Sequence, residues 1–372
     1  MRLIKLVFLL MFTLLLCAGC VSSHQQEKNK DLPATEDVQK SREESNQQSK
    51  HDEVISTEID ESVFHSVADW KDEESIFYIT NTANGSTIHS YNIYTGDSSI
   101  FFRSEAPIVQ FEANSNHSLF LVHTSPTTYE ANLIILDEKG EIQYNTKIQS
   151  FELEFTWNQL NHEELFVSSF NEDWTYNTYI INTSEKTISE NPVKIPFMQW
   201  VGDTKISYLK WNQDVPTLTA PMYTYDRKTK EETLLANNVL TNTNYSNVMT
   251  TVEVFDDKGN ASVKFYELST MKLLNELPTR VVSLYSDWSI PYQDYNEKKK
   301  IFYLLEVNDE NTSYSLISYN IKTKERKVLI EGLENYQFKL SPNGDYALYG
   351  PRFEYMINLK NKKIVDLITF KK

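Results

Sequence analysis

Cysteine is almost missing from this chain. The two cysteines, Cys17 and Cys20, lie at the amino terminus, and none occurs in the 352 residues that follow. Without later thiols the folded part of the chain has no disulfide, and zinc or iron–sulfur sites built from thiolates are excluded there. The fold must therefore form without covalent or metal–thiolate crosslinks.

Glycine and positive charge are also scarce. The nine glycines form no GxGxxG pattern, no P-loop and no Gly-x-Ser-x-Gly nucleophile elbow. Residues 1–19 carry Arg2 and Lys5 and no acid, so the chain after them has 34 basic and 52 acidic residues, a net charge of −18. An acidic surface repels nucleic acid and anionic headgroups, so we expect no nucleic-acid partner and no basic patch.

Candidate metal ligands are few. All seven histidines precede residue 163, and none forms HxxxH or HExxH. His117 and His123 could share a strand face, but turn and strand-surface histidines are commoner than ligands. The run Asp256-Asp257-x-Gly259-Asn260 lacks the spacing and closing Glu of an EF-hand loop, so it predicts a polar hairpin turn. We therefore expect neither a metal nor a cofactor.

The amino terminus has the pattern of an export signal. Arg2 and Lys5 precede an apolar run from Leu6 to Leu16, which is interrupted by Thr13 alone, and Ala18-Gly19 supply small residues for cleavage. The run is shorter than the roughly 20 residues of a membrane-spanning helix. Residues 1–19 are therefore predicted to be a signal peptide.

The segment Leu16-Cys17-Ala18-Gly19-Cys20 resembles the lipobox of bacterial lipoproteins. The resemblance implies that Cys20 receives a diacylglyceryl group through its sulfur and becomes the new amino terminus. The sequence departs from the pattern at Cys17, where an aliphatic residue is usual, and Leu16 stands one place early. The alternative is an ordinary secretory signal in which Cys20 has no role.

A polar segment follows the signal. From Ser22 to about Lys50 the chain consists of Gln, Glu, Lys, Ser, Asn and Asp with almost no apolar residue. Such a segment buries too little surface to offset its ordering entropy. Residues 20–52 are therefore predicted to be a disordered tether, with an r.m.s. span of roughly 30 Å.

The remainder, residues 53–372, alternates short strand-like runs with turn clusters, which is typical of all-β proteins. The pattern Tyr91-Asn92-Ile93-Tyr94-Thr95-Gly96 recurs in looser form six times, at intervals of 38 to 53 residues with a mean of about 44. A unit of this length is typical of a four-stranded propeller blade. The copies begin at Tyr91, Leu136, Tyr179, Tyr225, Tyr266, Tyr319 and Ile357.

The repeat predicts a β-propeller of seven four-stranded blades, although six or eight also fit. The predicted blades span 63–104, 105–148, 149–193, 194–238, 239–280, 281–332 and 333–370. Stacking blades in a closed ring covers both faces of each one. The strand-like run Val54–Ile59 is expected to add to the last blade, and the fifth unit fits the repeat least well.

Two groups of tryptophans are given different roles. Trp70, Trp157 and Trp200 end the first strand of a unit, so they are predicted to pack between blades, the alternative being an aromatic rim that binds sugar or peptide. Trp174 and Trp211 lie in predicted loops. Exposed loop aromatics mark recognition surfaces, so these two are the predicted contacts for a partner.

The repeat resembles bacterial propellers of the TolB-like and quinoprotein-like classes over nearly all of residues 54–370. The order of lipobox, polar segment and repeated head is similar to that of YqgU-like propeller lipoproteins of Gram-positive bacteria. This resemblance implies a propeller held at the cell membrane by lipid on Cys20, facing outside the cytoplasm, and implies no activity.

The predicted function is non-catalytic binding of an envelope protein or polymer by a monomeric propeller. The sequence shows no catalytic constellation, and the fold presents a broad face built from loops. The alternative is a propeller hydrolase or lyase that acts on envelope polymers, since propellers host both classes. Facing carboxylates in the central channel would favour the enzyme, and a channel of Asn, Ser, Thr and apolar groups would count against it.

Replacing Cys20 with Ala should move the protein from the membrane fraction to the soluble fraction, because the acyl chains are its predicted anchor. Fractionation of cells followed by immunoblotting measures this. A Cys17→Ala variant is the control and should stay in the membrane fraction. Retention of the Cys20→Ala variant in the membrane fraction would contradict the anchor.

Overall fold

The computed structural model describes residues 53–191, 193–212, 217–284 and 287–371. Within these ranges the backbone forms strands, turns and bends with no helix, and the described residues belong to one compact unit. No helix in the described ranges is long and apolar enough to cross a membrane. The predicted signal peptide, 1–19, and tether, 20–52, lie outside the described residues.

The strands follow one another as short antiparallel runs. In the first half of the chain they are β1 (Thr57–Ile59), β2 (Phe64–Trp70), β3 (Ser75–Thr82), β4 (Gly85–Asn92), β5 (Ser98–Ser104), β6 (Ile108–Ala113), β7 (Leu119–Thr127), β8 (Glu130–Asp137), β9 (Ile142–Gln149), β10 (Glu152–Trp157), β11 (Glu164–Phe170), β12 (Tyr176–Asn182) and β13 (Thr187–Glu190).

In the second half they are β14 (Gln199–Trp200), β15 (Lys205–Leu209), β16 (Ala220–Asp226), β17 (Glu232–Asn244), β18 (Val248–Val254), β19 (Asn260–Glu267), β20 (Lys272–Arg280), β21 (Val282–Leu284), β22 (Asp287–Ser289), β23 (Gln293–Asn296), β24 (Ile301–Val307), β25 (Tyr314–Asn320), β26 (Arg326–Leu333), β27 (Phe338–Leu340), β28 (Tyr346–Tyr349), β29 (Tyr355–Asn358), β30 (Lys363–Asp366) and β31 (Ile368–Phe370).

The strand pairing divides the described residues into seven four-stranded units. Five are separate sheets of consecutive strands, β2–β5, β6–β9, β10–β13, β23–β26 and β27–β30. The other two share β17 in a seven-stranded sheet, β14–β20. The amino-terminal part of β17 pairs with β16, and its carboxy-terminal part, from Val239 to Asn244, pairs with β18. We number these units as blades 1 to 7 and call their strands A to D from first to last.

The core lies between blades. The described residues form seven apolar clusters, and each joins two consecutive blades. One of them brings Trp70 and Ile76 of blade 1 against Leu348 and Met356 of blade 7. The all-β propeller prediction is confirmed, and the ring closes through this last cluster.

The amino-terminal strand joins the ring differently from the prediction. Thr57 to Ile59 pair in parallel with Ile368 to Phe370, so β1 forms a two-stranded ribbon with β31. The prediction that this run adds to the last blade was wrong in detail, because β27 to β30 already complete blade 7 from consecutive sequence. Arg352 stacks over the rings of Phe64 and Phe370, 5.0 Å from each centroid, and thereby covers the ribbon.

The strand-end tryptophans pack between blades, as predicted. Trp70, Trp157 and Trp200 are buried. The Trp70 indole donates to the Lys339 carbonyl of blade 7 at 3.1 Å, and the Trp200 indole donates to the Thr156 carbonyl of blade 3 at 3.0 Å. In the poorly fitting fifth blade the same strand-end place is taken by Asn244, whose amide lies against the Trp200 carbonyl.

The repeated hexapeptide forms the turn between strands C and D. In blade 1 the Asn92 side chain accepts hydrogen bonds from the amides of Tyr94 and Thr95, and Gly96 follows at φ 76°. In blade 6 the Asn320 side chain accepts from Lys322 and Thr323 in the same way. The shared function is a side-chain cap on the turn, for which Asn and Asp are suited.

An ion pair strengthens the closure between blades 7 and 1. Lys339 Nζ lies 2.7 Å from Asp69 Oδ2, and the Asp69 side chain is fully buried. The Asp69 carboxylate also accepts hydrogen bonds from the amides of Trp70, at 2.7 Å, and Ala113, at 2.9 Å. One carboxylate thus links blades 7, 1 and 2.

Replacing Asp69 with Asn should lower the free energy of unfolding by about 3 kcal/mol, because a fully buried charged acceptor for the Lys339 ammonium and two amides is lost. Chemical denaturation measures the loss. Asp345→Asn is the matched control, because Asp345 pairs with Lys299 at 2.6 Å on the surface and should cost less than about 1 kcal/mol. Equal losses in the two variants would contradict the closure role of Asp69.

Candidate functional site

A ring of mostly polar side chains lies on the innermost strands. These are the A strands, and β2 contacts β6, β10 contacts β14, and β23 contacts β27. The position immediately before Trp70, and before the equivalent residue of each other blade, is occupied in blade order by Asp69, Glu112, Thr156, Gln199, Thr243, Asp294 and Lys339. Three carboxylates, one amine and three uncharged polar groups therefore share one level of the ring.

Two of these carboxylates are engaged in holding the backbone. Asp294 accepts from the amides of Tyr295, at 2.7 Å, and Leu340, at 2.8 Å, which joins blade 6 to blade 7. Asp69 makes the equivalent pair of bonds between blades 1 and 2. Burial raises the pKa of Asp294 to about 6, although the two amides and Lys339 oppose the rise. The main role of both acids is therefore to link the backbones of neighbouring blades.

Glu112 is the acid of the ring without such a role. Its carboxylate makes no hydrogen bond or close ion pair with a described residue, and its side chain is partly exposed. Burial raises the pKa of Glu112 to about 7, Lys339 lowers it, and Asp69 and Glu154 raise it further. Burial also raises the pKa of Glu154 on the neighbouring A strand. Perturbed acids of this kind occur at functional sites and in structural ion networks alike.

Lys339 is the cation that balances these acids. Burial alone would lower its pKa, but attraction by Asp69, Glu112 and Asp294 raises it. The ring therefore contains the facing carboxylates that the enzyme alternative requires, and two of them are already bonded to the backbone. Among the described residues no group of three or more His, Cys, Asp or Glu could hold a metal ion.

The two histidines singled out in the sequence do not come together. His117 lies in the A–B turn of blade 2 and donates from Nδ1 to the Trp70 carbonyl at 3.0 Å. His123 is buried within β7, where burial lowers its pKa to about 4. The run that begins at Asp256 is a hairpin turn, since the Asp256 carboxylate accepts from the Lys258 and Asn260 amides.

An aromatic surface covers the loops at the other end of the strands. Phe170 is buried, and around its ring lie Trp174 at 6.1 Å, Tyr176 at 5.9 Å and Phe197 at 5.4 Å. Trp174 is 44% exposed and Phe197 is 61% exposed. These rings come from the B–C hairpin of blade 3 and from the connection into blade 4.

The same surface continues toward blade 2. Tyr129, in the B–C hairpin of blade 2, lies 6.3 Å from Phe151, and its hydroxyl donates to Glu172 at 3.3 Å. Tyr129 and Phe151 are both exposed, and the Phe151 amide donates to the Phe170 carbonyl at 2.7 Å. We call the exposed rings of Tyr129, Phe151, Trp174 and Phe197 the aromatic face.

The predicted contact residues separate in the structure. Trp174 belongs to the aromatic face and has a φ of 65°. Trp211 is equally exposed, in the B–C connection of blade 4, but makes no ring contact with that face within the described part of the chain. Sequence reasoning missed Phe151 and Phe197, because both lie in connections between blades, where a single aromatic residue is not part of the repeated pattern.

Comparison with known proteins gives a family and a set of propellers. Residues 92–350 match the family described as the YqgU-like 6-bladed beta propeller domain, a span of 259 of the 372 residues. That span begins at the end of β4 and ends just after β28, so parts of blades 1 and 7 lie outside it. The family description counts six blades, whereas the strand pairing of this chain gives seven four-stranded units.

A curated relative is the uncharacterized lipoprotein YqgU of Bacillus subtilis strain 168, which is 27% identical over 368 residues, 99% of this chain and 97% of the relative. Among solved structures, an uncharacterized protein of Listeria monocytogenes EGD-e has a TM-score of 0.79 at 19% identity, covering 86% of this chain and 99% of its own. The propeller domain of the Trilobed protease from Pyrococcus furiosus has a TM-score of 0.58 at 11% identity, with coverages of 83% and 99%. These two structural likenesses show the fold alone.

Stability should depend on pH through Glu112. The pKa of Glu112 rises from 4.5 in the unfolded chain to about 7 in the fold. The contribution of Glu112 to the free energy of unfolding is therefore fully present below pH 4.5 and is lost as the pH rises through 7. The denaturation midpoint of Glu112→Gln relative to the parent should therefore increase between pH 4.5 and 7.5. A Glu138→Gln variant, on an exposed side chain in the C–D turn of blade 2, should show no such trend, and identical profiles for both variants would contradict the assignment.

Proposed function

This chain belongs to the YqgU-like family of β-propellers, and we propose that it is a lipid-anchored, non-catalytic protein-binding module displayed outside the cytoplasmic membrane. The aromatic face is the proposed contact surface, and an envelope protein is the proposed partner. The observation that carries the proposal is the grouping of four exposed rings on loops held by a closed ring of blades.

The anchor is supported from two directions. Cys20 follows an apolar run and two small residues, and no later thiol exists to pair with it. The curated relative, which aligns over 99% of this chain, is named a lipoprotein. Several acyl chains on one residue provide the multiple signals that stable membrane attachment requires. Export through the signal peptide would place the propeller on the outer side.

The composition of the aromatic face favours a protein partner. Contiguous exposed apolar patches on soluble domains mark interaction sites, and Trp, Tyr and Phe are the residues enriched at the centres of protein interfaces. Trp174 and Phe197 pack on buried Phe170. Their orientation is therefore fixed before binding, which lowers the entropy cost of association.

The rival function is catalysis in the central ring. Glu112, with a pKa near 7, could act as a general acid or base at neutral pH. Asp69 and Asp294, the other ring carboxylates, accept backbone amides across blade boundaries, which favours a structural role for them. The two functions use different ends and depths of the propeller, so they can be tested separately.

A photo-crosslinking residue placed at Phe197 should give a discrete protein adduct in intact cells, because that ring is proposed to lie in the interface. Phe255 is the matched control, since it is a phenylalanine at the same end of the strands, in the B–C hairpin of blade 5, and is 62% exposed against 61% for Phe197. Gel shift and mass spectrometry identify the adduct. Replacing Trp174 with Ala should reduce its yield about tenfold, as expected for an interface hot spot.

Two outcomes would overturn the binding proposal. The first is an equal pattern of adducts at Phe197 and Phe255, which would indicate random collisions. The second is loss of the adduct in the Glu112→Gln variant together with its retention in Trp174→Ala, which would move the function from the aromatic face to the central ring.

A further inference from the structure

A hollow lies at the opposite end of the strands from the aromatic face. Its volume is about 830 Å³, and it is lined mainly by the A–B turns of blades 4, 5 and 6 and the C–D turns of blades 5 and 6. The geometry points to a binding site for an amphiphilic anion: a small ligand with an apolar body and a phosphate or carboxylate group. The observations behind this inference do not depend on the proposed protein partner.

One of the turns that line the hollow is shorter than its neighbours. In blade 5 the paired residues Asn244 and Met249 are separated by four residues of the A–B turn. In the flanking blades the equivalent pairs are separated by more, five between Trp200 and Ile206 and six between Tyr295 and Phe302. We call the part of the hollow that is lined by the short turn, Ser246 to Val248, its floor.

Four lysines surround this floor, contrary to the expectation of no basic patch. They are Lys205, Lys300, Lys322 and Lys324. None of their ammonium groups makes a hydrogen bond or ion pair with a described residue, whereas the adjacent Lys298 and Lys299 are paired with Glu73 and Asp345. Their ammonium groups are therefore not held by a close acidic partner, although Lys205 also attracts the Asp226 carboxylate.

The hollow also contains two acids, Asp203 and Glu267. The Glu267 carboxylate accepts a hydrogen bond from the Thr270 hydroxyl at 2.5 Å. Four lysines against two carboxylates leave a local excess of positive charge on a chain whose net charge is −16. Opposite charge in a concave site raises the local concentration of an anion.

The floor and wall are apolar. Val248 and Leu268 are buried beneath the hollow, and Leu274 lines it with 43% of its surface exposed. Pockets of about 300 to 1,000 Å³ that combine an apolar lining with a few charged groups are typical of small-molecule sites. A fully polar anion would leave Leu274 in water, and an uncharged ligand would leave the lysines without a partner.

The test uses the full chain in phosphatidylcholine nanodiscs and three probes, measured by isothermal titration. Naphthyl phosphate, which has both an apolar body and a phosphate, should bind. Inorganic phosphate and naphthol, which each carry one half of that chemistry, should bind at least about tenfold more weakly. Absence of naphthyl phosphate binding, or equal binding of inorganic phosphate, would overturn the inference.

A pair of double variants locates the site. Lys322→Glu with Lys324→Glu should weaken naphthyl phosphate binding at least about tenfold, because two attractions become repulsions. Lys360→Glu with Lys362→Glu is the matched control, since these lysines occupy the same places in the C–D turn of blade 7; Lys324 has a φ of 62° and Lys362 a φ of 61°. Equal loss in both double variants would show only nonspecific attraction and would overturn the assigned site.

A competition experiment with phosphatidylglycerol distinguishes a membrane lipid from a soluble anion as the natural ligand. If phosphatidylglycerol in the nanodisc weakens naphthyl phosphate binding to the parent chain but not the residual binding of the Lys322/Lys324 variant, the natural ligand is a membrane lipid headgroup with its chain. If phosphatidylglycerol has no effect, the ligand is a soluble anion. Weakening of the same size in both proteins would place the lipid effect elsewhere and contradict the site.

Discussion

The structure depends on the burial of apolar side chains between neighbouring blades. A four-stranded sheet of this length has two apolar faces and cannot cover both, so each blade needs a neighbour on each side. The seven apolar clusters of the described residues meet this requirement, the last by joining Trp70 to Leu348. Polar links such as Asp69 then fix the positions of blades that are already driven together.

Much of this architecture follows from the sequence, because each copy of a repeated sequence pattern forms the same strands and turns. The first predicted blade, residues 63–104, contains the observed strands β2 to β5, and the strand-end tryptophans are buried between blades as expected. The continuous β17 was not predicted, since its thirteen residues carry a turn-like Asn pair, Asn237-Asn238, that the structure accommodates as a bulge within the strand.

The candidate sites were less accessible to sequence reasoning, for a geometric reason. The aromatic face combines Tyr129, Phe151, Trp174 and Phe197, which are brought together only when blades 2, 3 and 4 pack. The lysines of the hollow are separated by up to 119 residues, from Lys205 to Lys324. The negative net charge of the whole chain gives no indication that they form a positively charged group. Trp174 could be selected because its loop setting was visible locally.

The ribbon of β1 and β31 has a mechanical meaning. The chain enters the propeller at Ile55, which exchanges hydrogen bonds with Ile93 and Tyr91 of blade 1, and then passes through β1. Strand β31 joins the ring at its own amino end, which lies beside the amino end of β1, so a pull through the preceding segment would open the ribbon one residue pair at a time from Thr57 and Ile368. Under load the ribbon would therefore separate before Trp70 and Leu348 are pulled apart at the seam between blades 1 and 7.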